Sequence, residues 1–356
     1  MANATIEQLL QILVERRGSD LHLSAGSPPR IRIDGDLIAT EHDVLNPDGC
    51  KRLIYSFLSG DQVARFEKDL EIDLSFGVEG LGRFRTNVFF QRGTVSAVLR
   101  MIPYQIRGFD ELGLPGKICE EVCGLPRGLV LVTGATGSGK STTLAAMVDH
   151  VNALKALHIV TVEDPIEFLH RNKSCLVNQR EIGADSTSFK RALRSALRQD
   201  PDVVLVGEMR DTETIEAALT IAETGHLTFA TLHTSDCVQT INRIVDVFPS
   251  SQQQQVRTQL SFSLQAVICQ QLLPTVTGKG RVLAIETMIA NSAIRSLIRD
   301  DKAHQIYSII QTGGKIGMRT MNQSLHDLCR RNLISYDDAL AHSSDVEDLK
   351  RTFARS

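Results

Sequence analysis

The sequence is poor in the features that mark membrane-spanning, secreted or nucleic-acid-binding proteins. Its 356 residues contain no tryptophan, only 5% aromatic residues and a net charge of −3. Such a balance gives no global attraction to nucleic acid or anionic lipid. The longest apolar runs have the length of a strand, as in Gly128–Thr133, so we expect no membrane-spanning helix. The amino-terminal residues lack the basic and apolar regions of a secretory signal, and we expect none there.

Cysteine is also used sparingly. The seven cysteines are scattered along the chain, and an odd, scattered set favours reduced thiols in a cytoplasmic protein. Cys119 and Cys123 form the nearest pair, but no second pair completes a zinc site. We therefore expect these two cysteines to be structural.

The first 104 residues predict an α+β domain. Apolar residues at helical spacing indicate a helix over about 5–17, and two further helices are predicted at about 47–59 and 61–69. Asp34 and Gly35 separate two alternating runs, which predicts a hairpin. Three more alternating runs, ending at Ile102, predict a meander of strands.

A different pattern follows a stretch rich in glycine and proline, which predicts a linker at 105–117. From residue 118 to about 235, predicted strands alternate with predicted helices, which favours a parallel sheet covered by helices. The part from about 236 to 356 is predicted to be mostly helical, as a bundle that packs against the sheet.

A glycine-rich segment between a strand and a helix carries the strongest chemical signal. Gly134–Ser141 has the pattern G-x-x-x-x-G-K-[ST] of a phosphate-binding loop. Its backbone N–H groups and the helix amino terminus would hold phosphates, Lys140 would reach the terminal phosphates, and the hydroxyl of Ser141 would bind Mg²⁺. The predicted nucleotide-binding residues are Gly134, Ala135, Thr136, Gly137, Ser138, Gly139, Lys140, Ser141 and Thr142.

Carboxylates end two further apolar runs. Glu163 follows the first, where a carboxylate can polarise the attacking water or hold Mg²⁺ through water. Glu208 follows the second run, which resembles a Walker B strand in which Gly207 takes the position usually held by an aspartate. Glu208 is therefore the candidate magnesium-linked group. Asp211 is as readily explained as a helix cap.

Histidines begin and end a third apolar run. His233 leaves it at the edge expected for the carboxylates and could contact the terminal phosphate, whereas His226 lies at the opposite end. Guanine-specific proteins usually carry the base-recognition motif Asn-Lys-x-Asp. Here the Asn172-Lys173 pair is followed by Ser-Cys, so we do not expect GTP as the substrate.

Together these motifs resemble those of secretion and pilus ATPases. In order, Gly134–Ser141, Ile159–Glu167, Val203–Asp211 and Gly225–Thr234 are similar to the Walker A, Asp-box, atypical Walker B and His-box motifs of that superfamily. The stretch Ser-Asp-Leu-His-Leu-Ser-Ala-Gly-Ser-Pro-Pro at 19–29 resembles the PilT family of type IV pilus retraction ATPases. The resemblance covers nearly the whole chain.

Another segment resembles the carboxy-terminal signature Ala-Ile-Arg-Asn-Leu-Ile-Arg-Glu of the same family. Residues 293–300 depart from it only at Ser296 and Asp300. The segment also predicts an amphipathic helix with Arg295 and Arg299 facing solvent. Extension and type II secretion ATPases typically carry an extra amino-terminal domain and a tetracysteine insert, which this sequence lacks, so the resemblance favours retraction.

The resemblance implies a PAS-like α+β amino-terminal domain, a RecA-like P-loop domain with trailing helices, and a ring of six subunits. It also implies arginines that reach nucleotide from the smaller domain. By this resemblance we assign that role to Arg85, Arg100 and Arg107, with Arg83 as a competitor for Arg85. Ordinary surface salt bridges are the alternative for each.

The expected function is thus an ATP- and Mg²⁺-dependent hexameric motor that powers pilus retraction and twitching motility. It would be cytoplasmic and peripheral to the inner membrane, bound to a platform protein of the pilus machine, with no direct nucleic-acid partner. Two alternatives stay open. One is an extension, DNA-uptake or secretion ATPase of the same superfamily, and the other is a nucleotide-dependent regulatory or scaffold protein with negligible turnover.

Overall fold

The structure is a computed structural model that describes residues 4–33, 35–102 and 105–354. The chain divides into two compact units. One comprises Met1–Gln105 with Glu167–Leu169, and the other comprises Ile106–Ile166 and His170–Ser356.

In its described residues, the first unit has a six-stranded antiparallel sheet and three helices, with the strands in the order β3-β2-β1-β6-β5-β4. Its elements are α1 Ile6–Glu15, β1 Asp20–Leu23, β2 Arg30–Ile33, β3 Asp36–Ala39, α2 Pro47–Tyr55, α3 Gly60–Asp69, β4 Glu71–Val78, β5 Gly82–Gln91 and β6 Thr94–Ile102. The predicted helices and strands of this unit are confirmed.

Local sequence signals explain these elements. Thr5 caps α1 through a capping box with Gln8, and the predicted apolar face of the helix is fully buried. In the predicted hairpin, Ile33 pairs with Asp36, so two residues connect β2 and β3. Gly35 has a φ of 96°, while Asp34, the other predicted turn residue, lies outside the described residues.

The segment predicted as a linker is largely part of the second unit. Pro103 and Tyr104, where the glycine- and proline-rich stretch begins, lie outside the described residues. Residues Ile106–Ile166 belong to the second unit, and Phe109 and Leu114 are buried in its core. Apolar side chains thus anchor most of the stretch 105–117, which glycine and proline alone would not indicate.

The second unit is built on a seven-stranded sheet in the order β13-β12-β7-β11-β10-β8-β9. Its strands are β7 Gly128–Thr133, β8 His158–Glu163, β9 Leu176–Glu181, β10 Val203–Val206, β11 Leu227–Leu232, β12 Leu264–Pro274 and β13 Arg281–Ile289. Its α-helices are α4 Gly116–Gly124, α5 Lys140–Leu154, α6 Phe189–Ala196, α7 Thr212–Glu223, α8 Cys237–Asp246, α9 Ser250–Ser263, α10 Ser292–Arg299, α11 Ile306–Thr312, α12 Met321–Arg330, α13 Tyr336–Ala341 and α14 Val346–Ala354.

Strands β7 to β12 pair in parallel, and β13 is antiparallel to its neighbour β12. Alternate residues of β7 belong to different cores, since Leu129 and Leu131 pack in one cluster and Val130 and Val132 in another. Both faces of the sheet are therefore covered by apolar packing, which confirms the predicted parallel sheet covered by helices.

The prediction that residues after 236 are mostly helical was wrong for one long hairpin. Strands β12 and β13 pair over nine residue pairs, and β12 lies in the sheet beside β7. Because both faces of β12 are buried, its residues show no period of two, and a buried strand is then hard to tell from a helix. The glycines of the loop at 275–280 were the missed signal.

A second difference concerns Arg295, predicted to face solvent. Its Nη1 atom donates to the carbonyl oxygens of Ser261 at 2.7 Å and Phe262 at 3.0 Å, so the side chain is half-buried against the end of α9. Burial lowers the pKa of Arg295. The apolar face of α10 is as predicted, with Ile294 and Ile298 buried.

Cys119 and Cys123 are buried in α4, and burial raises the pKa of Cys119 to about 12. Among the described residues, no helix combines the length and apolar character required to cross a bilayer.

Candidate nucleotide-binding site

The phosphate-binding loop connects β7 to α5. Its first residue, Gly134, has no room for a side chain. Gly134 has a φ of 143°, and a Cβ there would lie 2.4 Å from the carbonyl oxygen of Gln270 and 2.5 Å from Ser138 Oγ. Any side chain at this position would push the loop away from β12. The loop therefore requires glycine at 134 for both its conformation and its packing.

Lys140 begins α5 and is nearly buried beneath the loop. Its Nζ donates to the carbonyl oxygens of Gly134 at 2.8 Å and Ala135 at 3.0 Å. The ammonium group is thus held inside the loop curvature. The next residues, Ser141 and Thr142, are half-exposed at the first turn of α5.

The loop fits an anion on an observation independent of its motif. The Oγ of Ser138 is buried and has no hydrogen-bond partner among the described residues. A buried hydroxyl without a partner is costly, and a phosphate oxygen would satisfy it. Ala135, Thr136 and Gly137 are exposed at the crest of the loop, while Gly139 is half-buried.

Three other predicted residues leave the same edge of the sheet as the loop. Next to β7 lies β11, followed by β10 and β8. The carboxyl ends of these parallel strands lead to His233, Glu208 and Glu163 respectively. Ligands of open α/β sheets bind outside this edge.

Glu208 is the centre of a charged group at this edge. Its Oε2 lies 2.8 Å from Arg210 Nη2, and its Oε1 lies 3.0 Å from His233 Nε2. Burial raises the pKa of Glu208, but the hydrogen bond from Arg210 and the charges of His233, Arg210 and Lys140 outweigh it. The net effect lowers the pKa, so Glu208 is ionised at neutral pH. A carboxylate has lone pairs beyond these two contacts and suits Mg²⁺.

Glu163 is held in a polar environment at the end of β8. Its Oε1 accepts from Thr161 Oγ1 at 2.6 Å and from Gln179 Nε2 at 3.2 Å. The turn after β10 lies against the end of β8, because Gly207 N donates to the carbonyl oxygen of Val162 at 2.8 Å. The side chain is half-exposed, which leaves it accessible to water.

Asp211 and His226, whose roles the sequence analysis did not decide, make local structural contacts. Asp211 caps α7 by accepting from the backbone N–H of Thr214 at 2.8 Å. The side-chain hydrogen bond from Thr214 is the largest cause of the lowered pKa of Asp211. His226 Nδ1 lies 3.0 Å from the carbonyl oxygen of Ile221, at the end of β11 away from the loop.

The predicted arginines lie in two places. Arg85 and Arg100 are directly paired on β5 and β6 of the first unit, and both are exposed. Arg100 Nε donates to Asp20 Oδ1 at 2.7 Å. Arg107 is exposed and belongs to the second unit, so the expectation that it acts from the smaller domain was wrong. The competitor Arg83 is half-buried two residues before Arg85.

Asp20 is ionised in this arrangement. Burial raises its pKa, but hydrogen bonds from Ser19 and Arg100 and the charges of Arg100 and His22 outweigh burial and lower it.

Sequence reasoning missed three contributors to the site. Arg210 follows Glu208 by two residues, so proximity to the motif was an available signal. Gln270 donates from Nε2 to Thr143 Oγ1 at 2.8 Å and supports α5, but it was hidden because β12 was predicted as helix. Gln179 lies on β9, an unpredicted edge strand in which polar and apolar residues mix.

The comparisons with known proteins agree with this geometry. Residues 3–313 match the family described as "Type II/IV secretion system protein". The chain is 53% identical to "Type IV pilus retractation ATPase PilT" of Pseudomonas aeruginosa, over 94% of this chain and 96% of that protein. It is 48% identical to "Twitching motility protein" of Neisseria gonorrhoeae, over 90% of this chain and 86% of that protein.

A solved structure is also similar over its full length. It is titled "Crystal Structure of the Pilus Retraction Motor PilT and Bound ADP" and matches with a TM-score of 0.91 and 51% identity. The match covers 98% of this chain and 99% of that chain, which confirms the expected fold class, an α+β domain followed by a P-loop ATPase domain with trailing helices. On these matches and on its four site motifs, the chain belongs to the PilT family of type II/IV secretion system ATPases.

Proposed function

We propose that this protein is a ring-forming ATPase motor that powers type IV pilus retraction. The observation that carries the proposal is the group at the sheet edge, where Lys140, Glu208 and His233 come together beside the phosphate-binding loop. Relatives named for pilus retraction and twitching motility, similar along nearly the whole chain, support the choice of motor.

The loop amides, Ser138 Oγ and Lys140 would bind the phosphates of ATP, and Ser141 and Glu208 would hold Mg²⁺. When bound, Mg²⁺ supplies positive charge that offsets charge on the phosphate oxygens. Glu163 orients a water molecule and accepts its proton at a carboxylate oxygen as that water attacks the terminal phosphorus. The products are ADP and phosphate. His233, whose Nε2 lies 3.0 Å from Glu208 Oε1, would contact the terminal phosphate.

Residues from another subunit would complete the site. Arg85, Arg100 and Arg107 present guanidinium groups that suit the charge that develops on a transferring phosphoryl group. We propose that they act across subunits in a hexamer. We also propose that domain 1–104 moves relative to domain 118–356 during turnover, and that the connection at 105–117, most of which packs in the second unit, moves with that unit.

The motor would work in the cytoplasm, peripheral to the inner membrane, on a platform protein of the pilus machine. The retraction of pili would follow from removal of pilin subunits at that platform. No direct nucleic-acid contact is part of the proposal.

The chemical proposal is tested with Glu163→Gln, which keeps the size of the side chain and removes the base. We expect phosphate release to fall by at least about 100-fold, while ADP binding stays unchanged. Lys140→Ala serves as the contrasting variant that loses binding. Phosphate release near the wild-type rate in Glu163→Gln contradicts the role of Glu163, and no turnover in the wild-type ring favours a regulatory or scaffold protein.

Deletion of the gene in its host tests whether the motor retracts or extends pili. Loss of a retraction motor leaves long, numerous pili without twitching, because assembly continues without disassembly. Loss of an extension motor leaves no pili. Electron microscopy and a subsurface motility assay separate the two, and a strain complemented with Glu163→Gln should resemble the deletion.

A further inference from the structure

A row of charged side chains crosses the sheet of the first unit. Arg85 pairs with Arg100, Arg100 pairs with Asp20, and Asp20 pairs with Arg32 on four successive strands. Directly paired residues of neighbouring strands face the same side of a sheet. The row therefore carries three guanidinium groups and one carboxylate on a single face.

Asp20 is the buried member of the row. Its side chain is 4% exposed, whereas the side chain of Arg100 is 68% exposed. One carboxylate oxygen accepts from Arg100 Nε at 2.7 Å, and the other accepts from Ser19 Oγ at 2.7 Å and lies 3.8 Å from Arg32 Nε. A buried anion thus ties two arginines of different strands to the sheet.

The atom that Arg100 uses for this contact matters. Nε lies at the base of the guanidinium group, and the two terminal nitrogens form the fork that binds phosphate oxygens in pairs. Among the described residues, neither terminal nitrogen of Arg100 has a hydrogen-bond partner. Asp20 therefore holds the guanidinium group through Nε and leaves both terminal nitrogens available for another partner.

The charge of Asp20 also offsets repulsion within the row. Neighbouring strands lie about 4.8 Å apart, and like charges directly opposite each other are destabilising. Without the carboxylate, Arg100 would lie between Arg85 and Arg32 with no anion beside it. The arginine would then turn away from its neighbours and adopt many rotamers.

We propose that Asp20 is a positioning residue that holds Arg100 ready to contact the triphosphate. This inference rests on the proposed function, in which Arg100 acts on nucleotide. Asp20 itself touches no substrate. Its effect is to reduce the orientations of the guanidinium group before nucleotide arrives, so it acts on the rate of hydrolysis and leaves nucleotide affinity of the loop unchanged.

The test uses the full-length protein and compares Asp20→Asn with Asp73→Asn. Asp73 is an exposed carboxylate on β4 of the same sheet, outside the row, so its variant removes the same charge without touching Arg100. We expect Asp20→Asn to lower kcat by about 10- to 100-fold with little change in KM or in the Kd for fluorescent ADP. Asp73→Asn should match wild type.

A double-mutant cycle separates positioning from general damage. If Asp20 acts through Arg100, then Asp20→Asn combined with Arg100→Gln is no slower than Arg100→Gln alone. Independent losses that multiply in the double variant overturn the inference. So does a wild-type kcat in Asp20→Asn when Arg100→Gln is slow.

Failure of the proposed function gives a different result. If Arg100→Gln hydrolyses ATP at the wild-type rate, the role of Arg100 is wrong and the inference fails with it, whereas turnover by wild type still supports the ATPase. Should Asp20→Asn not fold, Ser19→Ala removes one hydrogen bond to the carboxylate without changing its charge. We expect this variant to lower kcat by a smaller factor, and an unchanged kcat there overturns the inference.

Discussion

Gly207 lies so close to Glu163 that a Cβ atom on Gly207 would be 3.1 Å from the Cα of Glu163 and 3.2 Å from the carbonyl oxygen of Val162. The backbone after β10 therefore packs directly against the end of β8. Position 207 has little room for a side chain, and the acidic residue stands at the next position, Glu208. A side chain at 207 would displace the backbone that carries the proposed catalytic base.

Gly207→Ala is expected to disturb Glu163 more than it disturbs the fold. The added methyl group requires a shift of a few tenths of an ångström in a packed strand end, which costs about 1 to 3 kcal/mol in overpacking. Phosphate release should fall while ADP binding is retained. Urea unfolding and a phosphate-release assay measure the two effects, with Gly124→Ala, at the exposed end of α4 where an added Cβ meets no atom within 4 Å, as control for an added methyl group. Wild-type turnover in Gly207→Ala would contradict the proposed importance of this contact.

Arg210→Gln is expected to change the pH dependence of turnover. Arg210 is the largest of the influences that lower the pKa of Glu208, so its removal raises that pKa. The acid limb of kcat/KM should move to higher pH, because Glu208 then becomes protonated, and loses its charge, at a higher pH. Profiles normalised to their own plateau test this prediction, with the exposed Arg243→Gln as control. Superimposable profiles for Arg210→Gln and wild type would refute it.

Gly134→Ala is expected to weaken nucleotide binding. Its Cβ would meet the carbonyl oxygen of Gln270 at 2.4 Å, and alanine at positive φ costs about 1 to 2 kcal/mol. Since about 1.4 kcal/mol is a tenfold change in Kd, we expect the Kd for ADP to rise by at least about tenfold. Titration with fluorescent ADP measures it. Gly137→Ala, at an exposed crest position with positive φ but open space, should be weakened less. Equal affinities of these two variants would show that the close packing against β12 is unimportant.

Glu286→Gln is expected to destabilise the second unit. The buried carboxylate accepts the first backbone N–H of two helices, from Cys237 of α8 at 2.8 Å and Met321 of α12 at 3.2 Å. An amide offers only one oxygen, so one N–H loses its acceptor, at a cost of about 1 to 3 kcal/mol.

Chemical denaturation of Glu286→Gln and of the exposed control Glu216→Gln measures this difference. The free energy of unfolding should fall only in the first. Burial raises the pKa of Glu286, so the folded state holds its proton to a higher pH than the unfolded state does. This group's contribution to stability therefore decreases as pH rises between the two pKa values.

Most elements of the first unit could be predicted because their signals are local. The capping residue and apolar spacing of α1, and the alternation of β4 and β5, each require only neighbours in sequence. The hairpin β12–β13 could not be predicted in this way. Burial on both faces removes the alternation, and the apolar residues of β12 fit a helix equally well.

The chemistry of the loop can be read from adjacent residues, because they specify a strand, a glycine-rich turn and a helix start. The long-range partners depend on how the chain folds: His233 contacts Glu208, Gly207 packs against Glu163, and Asp20 accepts from Arg100. The order of strands in a sheet brings such residues together, and local periodicity does not specify that order. Residues 80 positions apart, such as Asp20 and Arg100, therefore meet only in the folded chain.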